Sequence, residues 1–228
     1  MIVLITPTGG RKKQFKLCQQ WMRNQTYKGD VTWIIVDDVI PKTSISKKIS
    51  NWNIIEINPK PAWKGGMNTQ SRNLKAGIDI LKDIKDIEAV FIIEDDDYYS
   101  PNYLVEMLKR LKGFDAAGEI NTVYYHIPAK RYLECHNRRH SSLFQTAFTM
   151  EGLSVFENSL NTKFIDVEFW RNIKSKNLFY EGNLSVGIKG LQGRPGIGIG
   201  HKEHRLREAD INGEMLKELI GEDIKYYE

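Results

Sequence analysis

Apolar runs and polar, glycine-marked breaks alternate from the first residues of the chain. Ile2 to Ile5 is an unbroken apolar run, the pattern of a strand covered on both faces, and it stops at Thr6-Pro7-Thr8-Gly9-Gly10-Arg11. Phe15, Cys18, Trp21 and Met22 then fall at helical spacing and predict a one-faced helix to about Asn24. Thr32 to Val36 reads as a second buried strand ending in Asp37-Asp38, and Asn53 to Ile57 as a third, alternating one. Pro59 to Asn68 is rich in Pro and Gly and reads as a loop. It leads into a helix from Thr69, with Leu74, Ile78 and Leu81 on one face. Ala89 to Ile93 is another buried strand and runs straight into Glu94-Asp95-Asp96-Asp97. Ser100-Pro101 has the form of a helix start, with Ser as N-cap and Pro at the first position. The helix so opened runs to about Lys112 and buries Tyr103, Leu104, Met107, Leu108 and Leu111.

The second half is less regular. Thr122 to Ile127 and Ser141 to Phe148 predict strands, and Leu153 to Leu160 fits either a helix or a turn. Between them, Ala129 to His140 carries Lys130, Arg131, Arg138, Arg139 and His140 around Tyr132, a solvated loop or a surface for a negatively charged acceptor. Asp166-Val167-Glu168 opens a helix to about Lys176, its acids favoured by the helix dipole. Ser185 to His201 contains six glycines, which predicts a tightly turning backbone held close to something. Their spacing matches neither a dinucleotide nor a P-loop fingerprint. Beyond Ala209 one amphipathic helix is expected, using Ile211, Met215, Leu216, Leu219 and Ile220. No repeat or low-complexity linker divides the chain, so a single domain over 1–228 is expected.

Composition narrows this picture. A length of 228 residues suits one α/β domain, and 41% apolar with 27% charged residues is ordinary for a globular chain. The opening apolar run lacks a basic flank, so it reads as a strand and not as a signal peptide, and no run approaches a membrane span. Without such a span no membrane partner is expected, and two cysteines, Cys18 and Cys135, lie too far apart to suggest a disulfide framework, which fits a reducing cytoplasm. The net charge of +4 permits a polyanionic partner without requiring one.

The four adjacent carboxylates carry the chemistry. They repel one another and need a cation, basic partners or open solvent. They follow a buried strand, and ligands in open α/β sheets bind beyond the carboxyl ends of strands, so they form a candidate metal site. Thr8-Gly9-Gly10 lets the backbone approach a bound group, and Arg11 adds a positive charge. Arg72 sits in a first helical turn, where its charge opposes the dipole and suits a shared anion such as a phosphate.

Taken in order, these elements resemble the GT-A glycosyltransferases, most closely the family-2-like enzymes. The resemblance covers Ile2 to Lys112 and, more loosely, Asp166 to His201. Asp95-Asp96-Asp97 matches the Asp-x-Asp motif, and Thr6-Pro7-Thr8, Asp37-Asp38 and Arg72-Asn73 match the nucleotide-binding elements before it. The resemblance implies an α/β GT-A fold, a Rossmann-like sheet flanked by helices with a small C-terminal acceptor lobe. Residues 1–112 would form the nucleotide-sugar half and 113–228 the acceptor half. It further implies metal-dependent, inverting transfer of a sugar from a nucleotide-sugar, a UDP-sugar by family preference, to an acceptor hydroxyl. Mn²⁺ or Mg²⁺ would offset the charge of the departing diphosphate, and both ions prefer oxygen ligands.

By the same resemblance, Asp97 would bind the metal, Asp95 the metal or ribose, and His201 (with His204 second) would complete the metal or diphosphate contact. Asp38 and Asp37 would contact base or ribose with Thr6 and Thr8 nearby; Arg11, Arg72, Lys189 and Arg194 would lie along ribose and phosphates. Asp166 and Glu168 stand where the family places the base that deprotonates the acceptor. Glu94 and Asp96 receive no role. Trp63, Tyr98, Tyr99 and Trp170 could form a stacking platform. The basic Lys130 to His140 segment, with Lys202, Arg205 and Arg207, leaves room for a nucleic-acid acceptor. The run Gly193-Arg194-Pro195-Gly196-Ile197-Gly198-Ile199-Gly200-His201 looks like that of small bacteriophage enzymes that glycosylate hydroxymethylated DNA bases in the host cytoplasm. Two other classes stay open. One is a nucleotidyltransferase, whose Gly-rich basic signature Thr8-Gly9-Gly10-Arg11-Lys12-Lys13 partly echoes; the other is a non-catalytic sugar-binding module.

Overall fold

The computed structural model describes residues 1–42, 49, 51–182, 184–194, 196 and 198–227. Its first half mixes strands and helices in the order β1 (Ile2–Thr8), α1 (Lys12–Arg23), β2 (Val31–Asp37), β3 (Trp52–Ile57), α2 (Gln70–Asp79), β4 (Ala89–Ile92), β5 (Tyr98–Tyr99) and α3 (Tyr103–Leu111). The second half adds β6 (Ala116–Glu119), β7 (Val123–His126), β8 (Arg131–Glu134), β9 (Thr146–Phe148), α4 (Leu153–Ser159), α5 (Ile165–Asn172), β10 (Lys176–Phe179), β11 (Ser185–Lys189), β12 (Glu208–Ala209) and α6 (Glu214–Ile220).

Seven strands form the main sheet in the order β10-β6-β9-β4-β1-β2-β3. β1 lies between β2 and β4, parallel to both, with Ile5 level with Ile34 on one side and Ile92 on the other. Helices cover both faces, which explains the apolar runs. Ile2 and Leu4 enter one core with Phe15, Trp21, Trp33 and Phe91, while Val3 and Ile5 enter the other with Leu74, Ile78, Phe156 and Phe169. β9 is antiparallel to both β4 and β6, and β10 runs parallel to β6.

The smaller sheet has the order β12-β8-β7-β11-β5. β11 is its joint. Its first residues pair with β5 (Val186 with Tyr98, Ser185 with Tyr99), and its last three pair with β7 (Gly187, Ile188 and Lys189 with Tyr124, Tyr125 and His126). β5 follows directly from the acidic stretch, so this pairing swings the end of β11 over those acids.

Several expectations are corrected. The helix after the acidic stretch begins at Tyr103, not at Pro101, and its N-cap is Asn102. Ser100 instead follows β5 directly, its N–H donating to Leu184 O, and its Oγ is buried without a partner. The Pro101 carbonyl accepts the Thr26 N–H and so lies outside the helix. The basic 129–140 segment is no plain loop. It contains β8, and Arg131 donates to Leu206 O and Arg207 O, which holds β12 in place. Of 141–148 only Thr146–Phe148 is strand, 153–160 resolves as α4, and Ile211 is 76% exposed ahead of α6. Tyr98, Tyr99 and Trp170 are core residues, which removes them from any stacking platform. Cys18 and Cys135 are free thiols, and among the described residues no helix is long and apolar enough to cross a membrane.

Candidate functional site

Three neighbouring parallel strands end side by side, and their tails assemble the site. β1 ends at Thr8 opposite Asp37 of β2, and β4 releases Glu94 to Asp97 on the other side. The turn after β1 passes through Gly9 at φ +149 and Gly10 at φ +70, and a Cβ on Gly9 would overlap Asp38 Oδ1. Glycine there lets Asp38 sit against the turn.

Asp38 is fully buried and heavily bonded. Thr69 Oγ1 donates to its Oδ2, Asn73 Nδ2 donates at 2.8 Å and Arg72 Nη2 at 3.4 Å. Arg194 Nη1 donates to Oδ1 at 2.8 Å, and the same guanidinium stacks over Trp63 at 4.6 Å. Burial works against the Asp38 charge, but the donors from Thr69, Asn73 and Arg194 outweigh it and hold the carboxyl below its usual range. Asp37 is turned back into the chain, its Oδ1 accepting the Val39 N–H. Thr6 lies inside the sheet and accepts from Trp33 Nε1. Of the two threonines, Thr8 is the one that reaches the acids.

The acidic cluster is buried with basic partners. Asp95 takes Thr8 Oγ1 at 2.6 Å on one oxygen and Arg11 Nη1 at 2.8 Å on the other. Lys189 Nζ, at the end of β11, lies 2.5 Å from Asp97 Oδ1 and 3.1 Å from Asp96 Oδ2. His201 Nε2 lies 3.3 Å from the same Asp96 oxygen, and Arg11 Nη1 3.4 Å from the other. Gln70 Nε2 donates to Glu94 Oε1 at 2.6 Å. Burial acts to raise Asp96, but Lys189 and Arg11 beside it keep it well below the carboxylate range. Glu94, with weaker partners, is pushed by burial up to about 7. Burial also lowers His201, which favours the neutral imidazole at pH 7.

Glu94, Asp96 and Asp97 each offer an oxygen, all within 4.8 Å of one another, and no other such group exists among the described residues. Asp97 Oδ2 is buried with no hydrogen-bond partner. An all-oxygen set with an unpartnered carboxylate oxygen fits Mg²⁺ or Mn²⁺. The residues therefore fit such an ion, with Lys189 on two of its ligands. Asp95, expected at the metal, is turned to Thr8 and Arg11; Glu94 and Asp96, which the sequence left without roles, stand in the group with Asp97. His201 reaches it only through Asp96, and His204 is exposed.

The first turn of α5 separates its two acids. Asp166 bonds the Val167 N–H, burial raises its carboxyl, and its charge acts on Glu94. Glu168 is taken up by Arg171 at 2.8 Å and Asn172 at 2.8 Å along the outer face of the helix. A cavity of about 210 Å³ lies between the acids and the glycine-rich segment, lined by Gln14, Asp96, Lys189, Arg194 and His201. The glycines predicted to lie close to something lie close to the chain's own side chains: at Gly190, φ +82, a Cβ would meet His126 Cε1 at 2.5 Å. Pro195 and Ile197 of that run lie outside the described residues.

Thr69 and Gln70 escaped the sequence reading as site residues, whereas Trp63, expected in a stacking platform, lies under the Arg194 guanidinium. The signal available for the first two was position alone, since the N-terminus of a helix feeding a parallel strand faces the carboxyl edge of the sheet.

No protein-family model and no curated protein matches the chain. Among solved structures it is similar to S. aureus TarS. TarS 1–349 in complex with UDP-GlcNAc superposes with a TM-score of 0.57 at 12% identity, over 86% of this chain and 59% of that one. The complex with UDP gives 0.55 at 11% identity over 82% and 60%. The chain thus spans about 60% of TarS 1–349, and 36% of the longer TarS chain. At this identity the likeness establishes the fold alone, a parallel-rich α/β sheet flanked by helices as in TarS.

Proposed function

We propose that the chain is a glycosyltransferase that takes its sugar from a UDP-sugar with the help of Mn²⁺ or Mg²⁺. One observation carries this reading: the Glu94, Asp96 and Asp97 oxygens lie beside the Asp38–Thr69–Arg72 cradle, at the sheet edge of a fold shared with a protein solved with UDP and UDP-GlcNAc. In this reading Asp38, with Arg72 and Thr69, holds the base and ribose, and Thr8 and Asp95 border the ribose. Glu94, Asp96 and Asp97 would hold the ion, which when bound offsets the negative charge developing on the diphosphate. Arg11, Lys189 and Arg194 supply donors to the phosphates; Lys189 and Arg194 are held on Asp96, Asp97 and Asp38 and exchange those carboxylates for phosphate oxygens. Asp166 is the base that takes the proton of the acceptor hydroxyl, since burial raises it toward a useful pKa, whereas Glu168 is engaged by Arg171. A base opposite the leaving group gives inversion.

The acceptor belongs to the second half. A hydroxymethylated base in DNA is the acceptor that the exposed Arg138, Arg139, Lys202, Arg205 and Arg207 favour, and it would place the enzyme in a host cytoplasm. Salt-sensitive duplex binding tests it: binding that ignores salt, or no binding, removes DNA as acceptor.

The donor reading is tested by incubating the protein with UDP-sugars and Mn²⁺, and separately with UTP and sugar phosphates, and analysing the products. Release of UDP, lost in Asp97→Ala, is expected. Release of pyrophosphate from a sugar phosphate and UTP would make the chain a nucleotidyltransferase, and sugar binding without any turnover a binding module.

A further inference from the structure

The carboxyl edge of the main sheet carries a second buried acid that the donor reading leaves unused. Phe91 and Ala117 both pair with Ala147, so Glu119, two residues past Ala117, ends β6 level with Ile93. Glu119 is 2% exposed. Its Oε2 accepts from Gln145 Nε2 at 3.2 Å and Ser185 Oγ at 3.3 Å, the Leu184 and Ser185 backbone N–H groups also favour its charge, and its Oε1 is buried with no side-chain donor. Asn121 Oδ1, on the turn after β6, is in the same condition. Both residues line a cavity of about 360 Å³ bounded by β6, β11 and α6. Glu134 and Glu218 stand on its wall, and Val186, Met215 and Leu219 give it an apolar side. Among the described residues, no Lys or Arg lines it.

This lining, acidic and without Lys or Arg, selects its ligand by charge. A buried acceptor without a donor costs about 1–3 kcal/mol, more for a charged one, so a ligand that donates gains where water-exposed acids would give little. Phosphates and nucleotides are disfavoured, because an anion would meet Glu119 and Glu134 with no Lys or Arg, and only the His136 imidazole, on the lining to offset them. A divalent ion lacks converging ligands here, since among the described residues only Glu94, Asp96 and Asp97 bring such atoms within 4.8 Å of one another. An organic cation with a hydrocarbon body satisfies both the acids and the apolar wall. We propose that this cavity is a second ligand site, for a small primary amine whose ammonium donates to Glu119 Oε1 and Asn121 Oδ1 while its carbon body packs on Val186 and Leu219. The site does not depend on the donor reading. Burial pushes the Glu119 carboxyl up to about 7, and an ammonium beside it would restore its charge.

Titration of isotope-labelled protein with tyramine, followed by amide chemical shifts, tests the site. Saturable shifts are expected at Asn121, Gly182, Ser185 and Val186, which line the cavity. The affinity for 4-ethylphenol, the same ring without the ammonium, is expected to be weaker by about tenfold or more, as is that of Glu119→Gln for tyramine. Glu134→Gln, at an exposed position, is expected to weaken tyramine about two- to fivefold and keeps the test decisive if Glu119→Gln does not fold. The proposal is overturned if tyramine, butylamine and spermidine all leave these amides unmoved, if 4-ethylphenol binds as well as tyramine, or if the folded variants bind tyramine like the parent. None of these readouts involves sugar transfer, so failure of the donor reading and failure of this site are separately visible.

Discussion

Lys189 presents its ammonium to Asp96 and Asp97 with only 5% of its side chain exposed. Removing one partner of a buried ion pair leaves the other charge uncompensated, at a cost of about 3–5 kcal/mol. Lys189→Met is therefore expected to lose about that much stability in metal-free buffer. The same change removes the cation that competes for these carboxylates, so Mn²⁺ should stabilise the variant more than the parent. Denaturant melts in EDTA and in Mn²⁺ measure both effects; an equal or smaller Mn²⁺ response in the variant would show that lysine and ion do not compete. Glu119 obeys the opposite pH rule from a salt-bridged acid. Its folded value of about 7 lies above its ordinary 4.5, so between those values the folded protein holds a proton that the unfolded chain has released. Stability should fall as pH rises through that window, by about 3 kcal/mol in total. Glu119→Gln abolishes this dependence, and melts at pH 5 and pH 8 are expected to show the variant flatter across the pair and more stable than the parent at the higher pH.

At the scale of the element, the first turn of α5 offers two carboxylates with different surroundings. Asp166 is raised by burial and feels Glu94; Glu168 is held on the outer face. Asp166→Asn is expected to lower kcat by about 10²–10⁴, the usual contribution of a positioned base, with little change in UDP affinity. Glu168→Gln should stay within about threefold, since an exposed i,i+3 pair contributes little. Comparable losses in both, read from initial rates, would return the choice to open. The contrast also shows what a sequence can disclose. β1, β2 and β4 are legible because burial on both faces leaves an unbroken apolar run. β8, β10 and β12 are short, mixed in polarity and defined by partners far along the chain, so nothing local announces them. β11 hid among glycines, although its register is what delivers Lys189 to the acids. For the same reason the strand-end residues Thr8, Asp38 and Asp97 could be read directly. The pairing of Asp95 with Arg11, or of Glu94 with Gln70, could not.

Across the whole molecule, the cleft is lined from two directions. The carboxyl edge of the main sheet contributes Asp38 and the acids, the start of α2 contributes Thr69 and Arg72, and the chain after β11 contributes Arg194 and His201. Arg194 already ties these parts together, donating to Asp38 and to Thr69 Oγ1 at 2.7 Å. A nucleotide that replaces these contacts would bridge the same elements and bind the folded chain alone. At about 100 times its Kd, such a ligand stabilises by about 2.7 kcal/mol. For a chain of this size each kcal/mol moves Tm by about 2–4 °C, so UDP with Mn²⁺ should raise Tm by about 5–10 °C. The rise should shrink in EDTA, because the carboxylates nearest the phosphates would then repel them. It should nearly vanish in Asp38→Asn, which turns the acceptor at the centre of the cradle into a group that both donates and accepts, and which weakens its hold on Arg72 and Arg194. Thermal melts across this set decide where the nucleotide sits. A rise that survives Asp38→Asn unchanged would put UDP away from the β2 edge, and no rise at millimolar UDP would remove the nucleotide from the site altogether.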